Sequence, residues 1–274
     1  MDKIKLVAMD LDNTLLNGEK KISLHTKEVL KEAIQKGVLI VPATGRIFKA
    51  IPEFIRELAG VRYAICCNGA TIYDKGEDKI IYTNHLSAQT VYKVLDLLDG
   101  YHCSQDIYRD GQGYMESRFY HHLEDYKIEG PMYEMIKTTR VEVENLREDI
   151  KEEDKGIEKM CTFFDDLEKK KEVWQKLNQV KEIAVTSAIW NNIEINSATC
   201  NKGDGLSHLA SYLNIPMSQV MACGDASNDE KMIEAAGFGV VMENGIDVLK
   251  EKADFVTKSN EEDGVAYAIE KFVL

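Results

Sequence analysis

No Cys-x-x-Cys pair, no internal repeat and no low-complexity tract occurs in this 274-residue sequence, and every long apolar run is interrupted by charge. Each absence excludes something. No apolar stretch approaches the ~18 residues of a membrane span. The N-terminus carries Asp2, Lys3 and Lys5, and the apolar run that follows is broken at Asp10 and Asp12, unlike a signal peptide. A cytoplasmic location is expected. The spacing of Cys66, Cys67, Cys103, Cys161, Cys200 and Cys223 gives a zinc site little support, and four of the six lie in apolar, strand-like runs. Free buried thiols are expected. Positive charge is also scarce: 34 Lys and Arg against 47 Asp and Glu leave a formal charge of -13. That argues against nucleic acid or an anionic membrane as unaided partners. It leaves an anionic ligand open, because a metal ion and a few lysines can reverse the potential inside a cleft.

What is present suits a folded chain of two domains. Hydrophobic residues make up 44% and charged residues 30%, and a globule of this length buries roughly 75% of its unfolded surface. Through residue 70, apolar strand-like runs at 4–9, 38–43 and 63–67 alternate with helical patterns at 23–36 and 48–59. The first helix has a Ser23 cap and a Gly37 stop, and Pro52 must sit in a first turn of the second or kink it. Such alternation implies a doubly wound parallel sheet, because parallel strands need crossover helices. From about residue 83 to 189 the sequence is more polar. An acidic stretch at 141–155 reads as a solvated helix face, 167–179 as a charged helix, and 159–164 and 183–188 as strands. After 191 the first style returns, with helices at 202–213, 228–236 and 264–272 and strands at 220–223, 238–242 and 253–257. The expected organisation is α/β, with residues 1–83 and 190–274 forming one domain and residues 84–189 an inserted α+β module.

Polar clusters stand where the apolar strands end: Asp10-Leu-Asp12-Asn-Thr14, Thr44-Gly45-Arg46, Asn68-Gly69 and Gly224-Asp225-Ala-Ser-Asn228-Asp229. A fifth, Asn201-Lys202-Gly203, opens a helix. Ligands of open α/β sheets bind outside the carboxyl ends of the strands. Two carboxylates as close as Asp10 and Asp12 repel, and a hard divalent cation supplies the compensation, with Asp225 and Asp229 able to complete its site. Any one aspartate alone could merely cap a helix or turn. Lys202 at a helix start opposes the macrodipole, a conflict that a bound anion would remove. Thr44 and Gly45 offer a hydroxyl and an unhindered N–H to a phosphate oxygen.

In this order the clusters resemble the haloacid dehalogenase superfamily, specifically Cof-type phosphatases with a large inserted cap of the C2B kind. The tail Met242-Glu-Asn-Gly245, Ala253-Asp-Phe-Val-Thr257 and Glu262-Asp-Gly-Val-Ala266 is similar too. The resemblance implies a Rossmann-like core and a Mg2+-dependent phosphomonoesterase acting on small phosphorylated metabolites, such as sugar phosphates or phosphorylated cofactors. It implies Asp10 as the nucleophile and Asp12 as the general acid and base. Mg2+ would be held by Asp10, the Asp12 backbone carbonyl and Asp225, with Asp229 in support. Thr44, Gly45 and Lys202 would hold the phosphoryl oxygens, with Asn228 nearby. Two departures from the family pattern touch loops: Asn13 stands where Gly is usual, tolerable because Asn accepts positive φ, and Gly245 replaces an Ala. By position the cap has hinges near 82–86 and 188–192 and offers Tyr108, Arg109, Tyr114, His121 and His122 to a leaving group. A phosphomutase using the same aspartates and a non-catalytic phosphate sensor are the competing readings.

Overall fold

All four residues of the strand Leu6–Met9 are buried, as a strand covered on both faces of a parallel sheet requires. It pairs in parallel with Leu39–Pro42 on one side and Val220–Gly224 on the other. The sheet continues through Phe238–Val241 to Phe255–Val256, again in parallel. Strand order therefore reverses beside Leu6–Met9, and the crevice of such a reversal opens at the carboxyl ends of Leu6–Met9 and Val220–Gly224. The computed structural model describes residues 3–58, 60–150 and 156–274.

Two helix pairs flank this sheet. Leu24–Gln35, whose Ser23 cap accepts from the Thr26 N–H, packs against Gly264–Phe272. Lys202–Tyr212 packs against Glu230–Ala235, and both join one apolar cluster with Leu6, Ala8, Val220, Ala222 and Val241. Alternate residues of each strand thus serve opposite faces. Tyr63–Cys66 turns back on Thr71–Asp74 in an antiparallel pair. A single parallel bridge, Ala43 to Ile65, links it to the main sheet.

The helix expected over 48–59 is instead a short 3-10 turn, Phe48–Ala50, and a four-residue helix, Glu53–Arg56. Pro52 breaks it, by lacking an N–H and forcing the preceding residue out of the helical region. Ala59 lies outside the described residues. The helix expected over 141–155 is likewise divided. Arg140–Val143 is a strand and Leu146–Asp149 a short helix, and Lys151–Lys155 fall outside the described residues.

Contacts divide the chain into two compact units, one of Met1–Gly45, Ile51–Tyr82 and Asn201–Leu274, the other of Arg46–Ala50 and Thr83–Cys200. The second division falls later than the 189/190 expected from composition. The reason is Asn192–Ser197, a strand paired antiparallel with Ile183–Thr186 and with Ile157–Phe163 inside the second unit. Residues 188–192 are accordingly no hinge but the turn of that hairpin, where the Asn192 side chain accepts from the N–H groups of Ala188 and Ile189.

The second unit is built on a six-stranded sheet whose central members are Ile157–Phe163 and Asp106–Arg109. One face, through Ile107, Met160, Ile193 and Ile195, packs with Val91, Val94, Leu95, Val173 and Leu177 of the helices Ala88–Leu98 and Leu167–Leu177. Tyr108, Asp106, Lys159, Cys161 and Glu194 alternate onto the other face. There Arg140 reaches Asp106 at 2.7 Å and Lys159 reaches Glu194 at 2.7 Å, all four side chains being buried. Arg140 crosses Gly113, where a Cβ would lie 2.4 Å from its Cδ, and its guanidinium stacks on the Tyr108 ring.

Candidate active site

Asp10 follows the last residue of its strand, and its N–H donates to the Cys223 carbonyl at 3.0 Å. That bond sets the first residues beyond two neighbouring parallel strands side by side, so Asp10 and Asp225 arrive at one place. The Ala43 N–H donates to Met9 at 2.8 Å, the Thr44 N–H to Ile65 at 2.9 Å and the Asn68 N–H to Thr44 at 3.0 Å. Gly69 closes the ring. Its φ is +102°, and a Cβ there would lie 2.1 Å from the Asn201 carbonyl oxygen, so only glycine lets this loop approach the start of the helix Lys202–Tyr212. Asn201 caps that helix through the Asp204 N–H, and Lys202 is its first residue.

Lys202 is fully buried, and its Nζ donates to Asp10 Oδ1 and to Asp229 Oδ1, each at 2.6 Å. Its conflict with the helix dipole is therefore offset by the chain's own carboxylates. The other oxygen of Asp229 accepts from the N–H groups of Asp225 and Ala226 at 2.9 and 3.0 Å. Gly224 makes room for this, since a Cβ there would meet the Asp229 side chain at 2.5 Å. Thr14 donates its hydroxyl to Asp225 Oδ1 at 2.7 Å. Oxygens of Asp10, Asp225 and Asp229 come within 4.8 Å of one another, all three residues being buried.

These contacts place four formal charges, three negative and one positive, out of water. Burial pushes the Asp10 carboxyl well above the usual range; Lys202 pulls it back, while Asp229, Asp225 and Asp12 push it further up. Burial, then Asp229, raises Asp225 to about 6, against the Thr14 hydrogen bond and Lys202. Burial works against a charged Lys202, but Asp10 and Asp229 more than compensate, and the amine is held above its ordinary range. The excess of two negative charges and the all-oxygen donor set fit a hard divalent cation such as Mg2+.

The remaining expected residues fall as follows. Asn228 approaches Asn68, Nδ2 to Oδ1 at 3.4 Å, and Thr44 is buried beside the same loop. The Asp12 carboxylate stands apart from the three-carboxylate group and pairs with Lys20 at 2.9 Å. Asn13 has φ 62°, the left-handed turn that its Asn permits, and its carbonyl accepts from Asn244 at 2.8 Å. In the second unit, Tyr108 is buried against Arg140 and Lys159, Arg109 bonds Asp149 and lies over Tyr114, and His121 meets Glu142 at 2.7 Å. His122 is exposed. All six cysteines are buried and none is in a disulfide, and among the described residues no helix is long and apolar enough to cross a membrane. Sequence reasoning missed the Thr14–Asp225 bond, although the hydroxyl stands in the same polar run as Asp10. It also missed Lys20, which nothing distinguished from an ordinary surface lysine.

The acidic, lysine-braced crevice lies at the strand reversal of a parallel sheet, and its three carboxylates could hold a metal ion. A sequence profile of haloacid dehalogenase-like hydrolases matches residues 7–269, and the chain belongs to that family. It is 32% identical over 284 residues to the 5-amino-6-(5-phospho-D-ribitylamino)uracil phosphatase YwtE of Bacillus subtilis, covering 98% of each chain. The pyridoxal phosphate phosphatase YbhA of Escherichia coli is 26% identical, with 97% of each covered. A haloacid dehalogenase-like hydrolase from B. subtilis superposes with a TM-score of 0.85 at 27% identity, over 99% of this chain and 100% of the other.

Proposed function

We propose that this protein is a Mg2+-dependent phosphomonoester phosphatase that works through an aspartyl-phosphate on small phosphorylated metabolites. The observation that carries it is the buried trio Asp10, Asp225 and Asp229 braced by Lys202 at the strand ends. The two curated relatives described above, one named for a ribitylaminouracil phosphate and the other for pyridoxal phosphate, support a small phosphorylated substrate.

The first half-reaction is attack of an Asp10 oxygen on phosphorus. The bond to the leaving oxygen breaks with its electron pair on that oxygen, which takes a proton from the Asp12 carboxyl. In the second half, the Asp12 carboxylate takes a proton from water, the water oxygen attacks phosphorus, the bond to Asp10 breaks, and inorganic phosphate departs. Lys202 favours the ionised form of Asp10 against the burial that opposes it, and lets two anions approach. Thr44, Gly45, Lys202 and Asn228 hold the phosphoryl oxygens, so that positioning and charge stabilisation supply most of the rate. Asp10, Asp225 and the Asp12 backbone carbonyl, with Asp229 behind them, would hold Mg2+, which would supply the charge that offsets these carboxylates and the phosphoryl group.

The test is phosphate release from p-nitrophenyl phosphate with Mg2+. Asp10→Asn should lower kcat by about a thousandfold or more, and chelation should abolish turnover; substantial activity in Asp10→Asn removes the nucleophile assignment. An isomeric sugar phosphate as product would mark a mutase, and a phospho-Asp10 stable for many minutes a sensor.

A further inference from the structure

The Asp12–Lys20 pair is the product of an anchored turn. Asp12 and Leu16 bridge to one another, and the chain then turns over residues 17–21. Asn17 holds that turn closed. Its N–H donates to Lys21 O at 3.0 Å, its carbonyl accepts from the Lys20 N–H at 2.9 Å, and its Oδ1 accepts from the N–H groups of Glu19 and Lys21 at 3.1 and 2.9 Å. The C-terminal segment pins it from outside. Asn260 Nδ2 donates to Leu16 O at 3.0 Å, and Glu261 Oε1 accepts from the Gly18 N–H at 2.6 Å. Lys20 itself has φ 59°, a left-handed conformation that a side chain of its kind adopts only when its surroundings impose it. The outcome is an ammonium 2.9 Å from the Asp12 carboxylate, with both side chains about one-third exposed.

A surface ion pair of this exposure contributes little to stability. So much local constraint, spent on aiming one lysine at one carboxylate, points instead to what that carboxylate does. We propose that Lys20 is a positioning residue for Asp12: held by the turn, it fixes the direction of the carboxyl that gives its proton to the leaving oxygen. This rests on the phosphatase reading above and adds the residue that acts on its general acid.

The consequence is selective for the leaving group. A nitrophenolate departs without a proton, whereas an alkoxide needs one in the transition state. A residue that aids proton delivery therefore matters most for alkyl phosphates. The experiment compares kcat/KM for p-nitrophenyl phosphate with that for whichever of glucose 6-phosphate, ribose 5-phosphate and glycerol 1-phosphate the wild type hydrolyses fastest. Lys20→Met should lower the alkyl-to-aryl ratio about tenfold, and Lys20→Arg should restore most of it. In an Asp12→Asn background, Lys20→Met should change the ratio no further, because the pair acts as one unit. An equal loss on both substrates in Lys20→Met, or an undiminished ratio, overturns the proposal. A wild type that releases no phosphate from any of the four esters defeats the phosphatase reading instead.

Discussion

The crevice of the first unit and the polar sheet face of the second both bury charged side chains, but they balance them differently. On the sheet face, Arg140 answers Asp106 and Lys159 answers Glu194, pair by pair. Burial alone would push Asp106 up, and it does so in spite of Arg140 and Lys159, yet the formal sum there is zero. In the crevice one lysine answers three carboxylates. A balanced cluster is complete in itself, because each charge has its partner and the desolvation cost is met locally. An unbalanced one is complete only with something that the chain does not encode. The imbalance, rather than the presence of buried charge, is what marks the crevice as the candidate site.

The sharpest way to break this comparison is to unbalance the sheet face. Arg140→Met leaves Asp106 buried without its partner and should cost about 3–5 kcal/mol in urea unfolding. The opposite sign is expected in the crevice. Asp10→Asn removes one of the surplus negative charges and should raise metal-free stability by about 1–2 kcal/mol while abolishing turnover. A loss of stability in that variant would mean that Lys202 already balances the site.

The pH dependence follows from Asp225. Its carboxyl sits at about 6 in the fold against an ordinary 3.8, so the folded metal-free state holds this proton more tightly than the unfolded chain does. Stability from this group is present at low pH and is lost as pH rises through about 6, a fall of roughly 1–2 kcal/mol between about pH 5 and pH 8. Asp225→Asn should lack that fall, and added Mg2+ should stabilise the wild type more at pH 8 than at pH 5. Urea midpoints at the two pH values, with and without the ion, decide it; wild type and Asp225→Asn with the same pH dependence would remove Asp225 as the cause. The smallest effect belongs to the turn beside Asp12. Asn13→Gly should change stability by less than about 1 kcal/mol, because glycine accepts φ 62° without strain, whereas Asn13→Ala should cost about 1 kcal/mol. Thermal melts of the two variants measure the difference.

Much of the first unit was legible in sequence because its signals are local. A continuous apolar run such as Leu6–Met9, ended by a polar cluster, announces a buried strand and a ligand end at once. Ser23 and Gly37 bound a helix by their own chemistry. Signals failed where the determinant was remote. The acidic stretch after Arg140 resembles a helix face, but pairing with Gln112–Glu116 draws Arg140–Val143 into the sheet, and no local propensity records a partner strand. The second division of the chain was misplaced for the same cause: Asn192–Ser197 has the same apolar alternation whichever sheet receives it.

Sequence by itself determined which residue types stand at the strand ends, the parallel α/β architecture and the excess of acid over base, because periodicity and turn chemistry act over a few residues. Tertiary structure alone decided who meets whom. Lys202 lies 192 residues from Asp10 and Thr14 lies 211 from Asp225. Such contacts are set by strand order, by a glycine's room for a neighbouring loop and by the burial that strengthens every charge. Asp10 and Asp229 are both aspartates in polar runs. Only the fold makes one the candidate nucleophile and the other the brace that holds Lys202 and the loop at Asp225 in place.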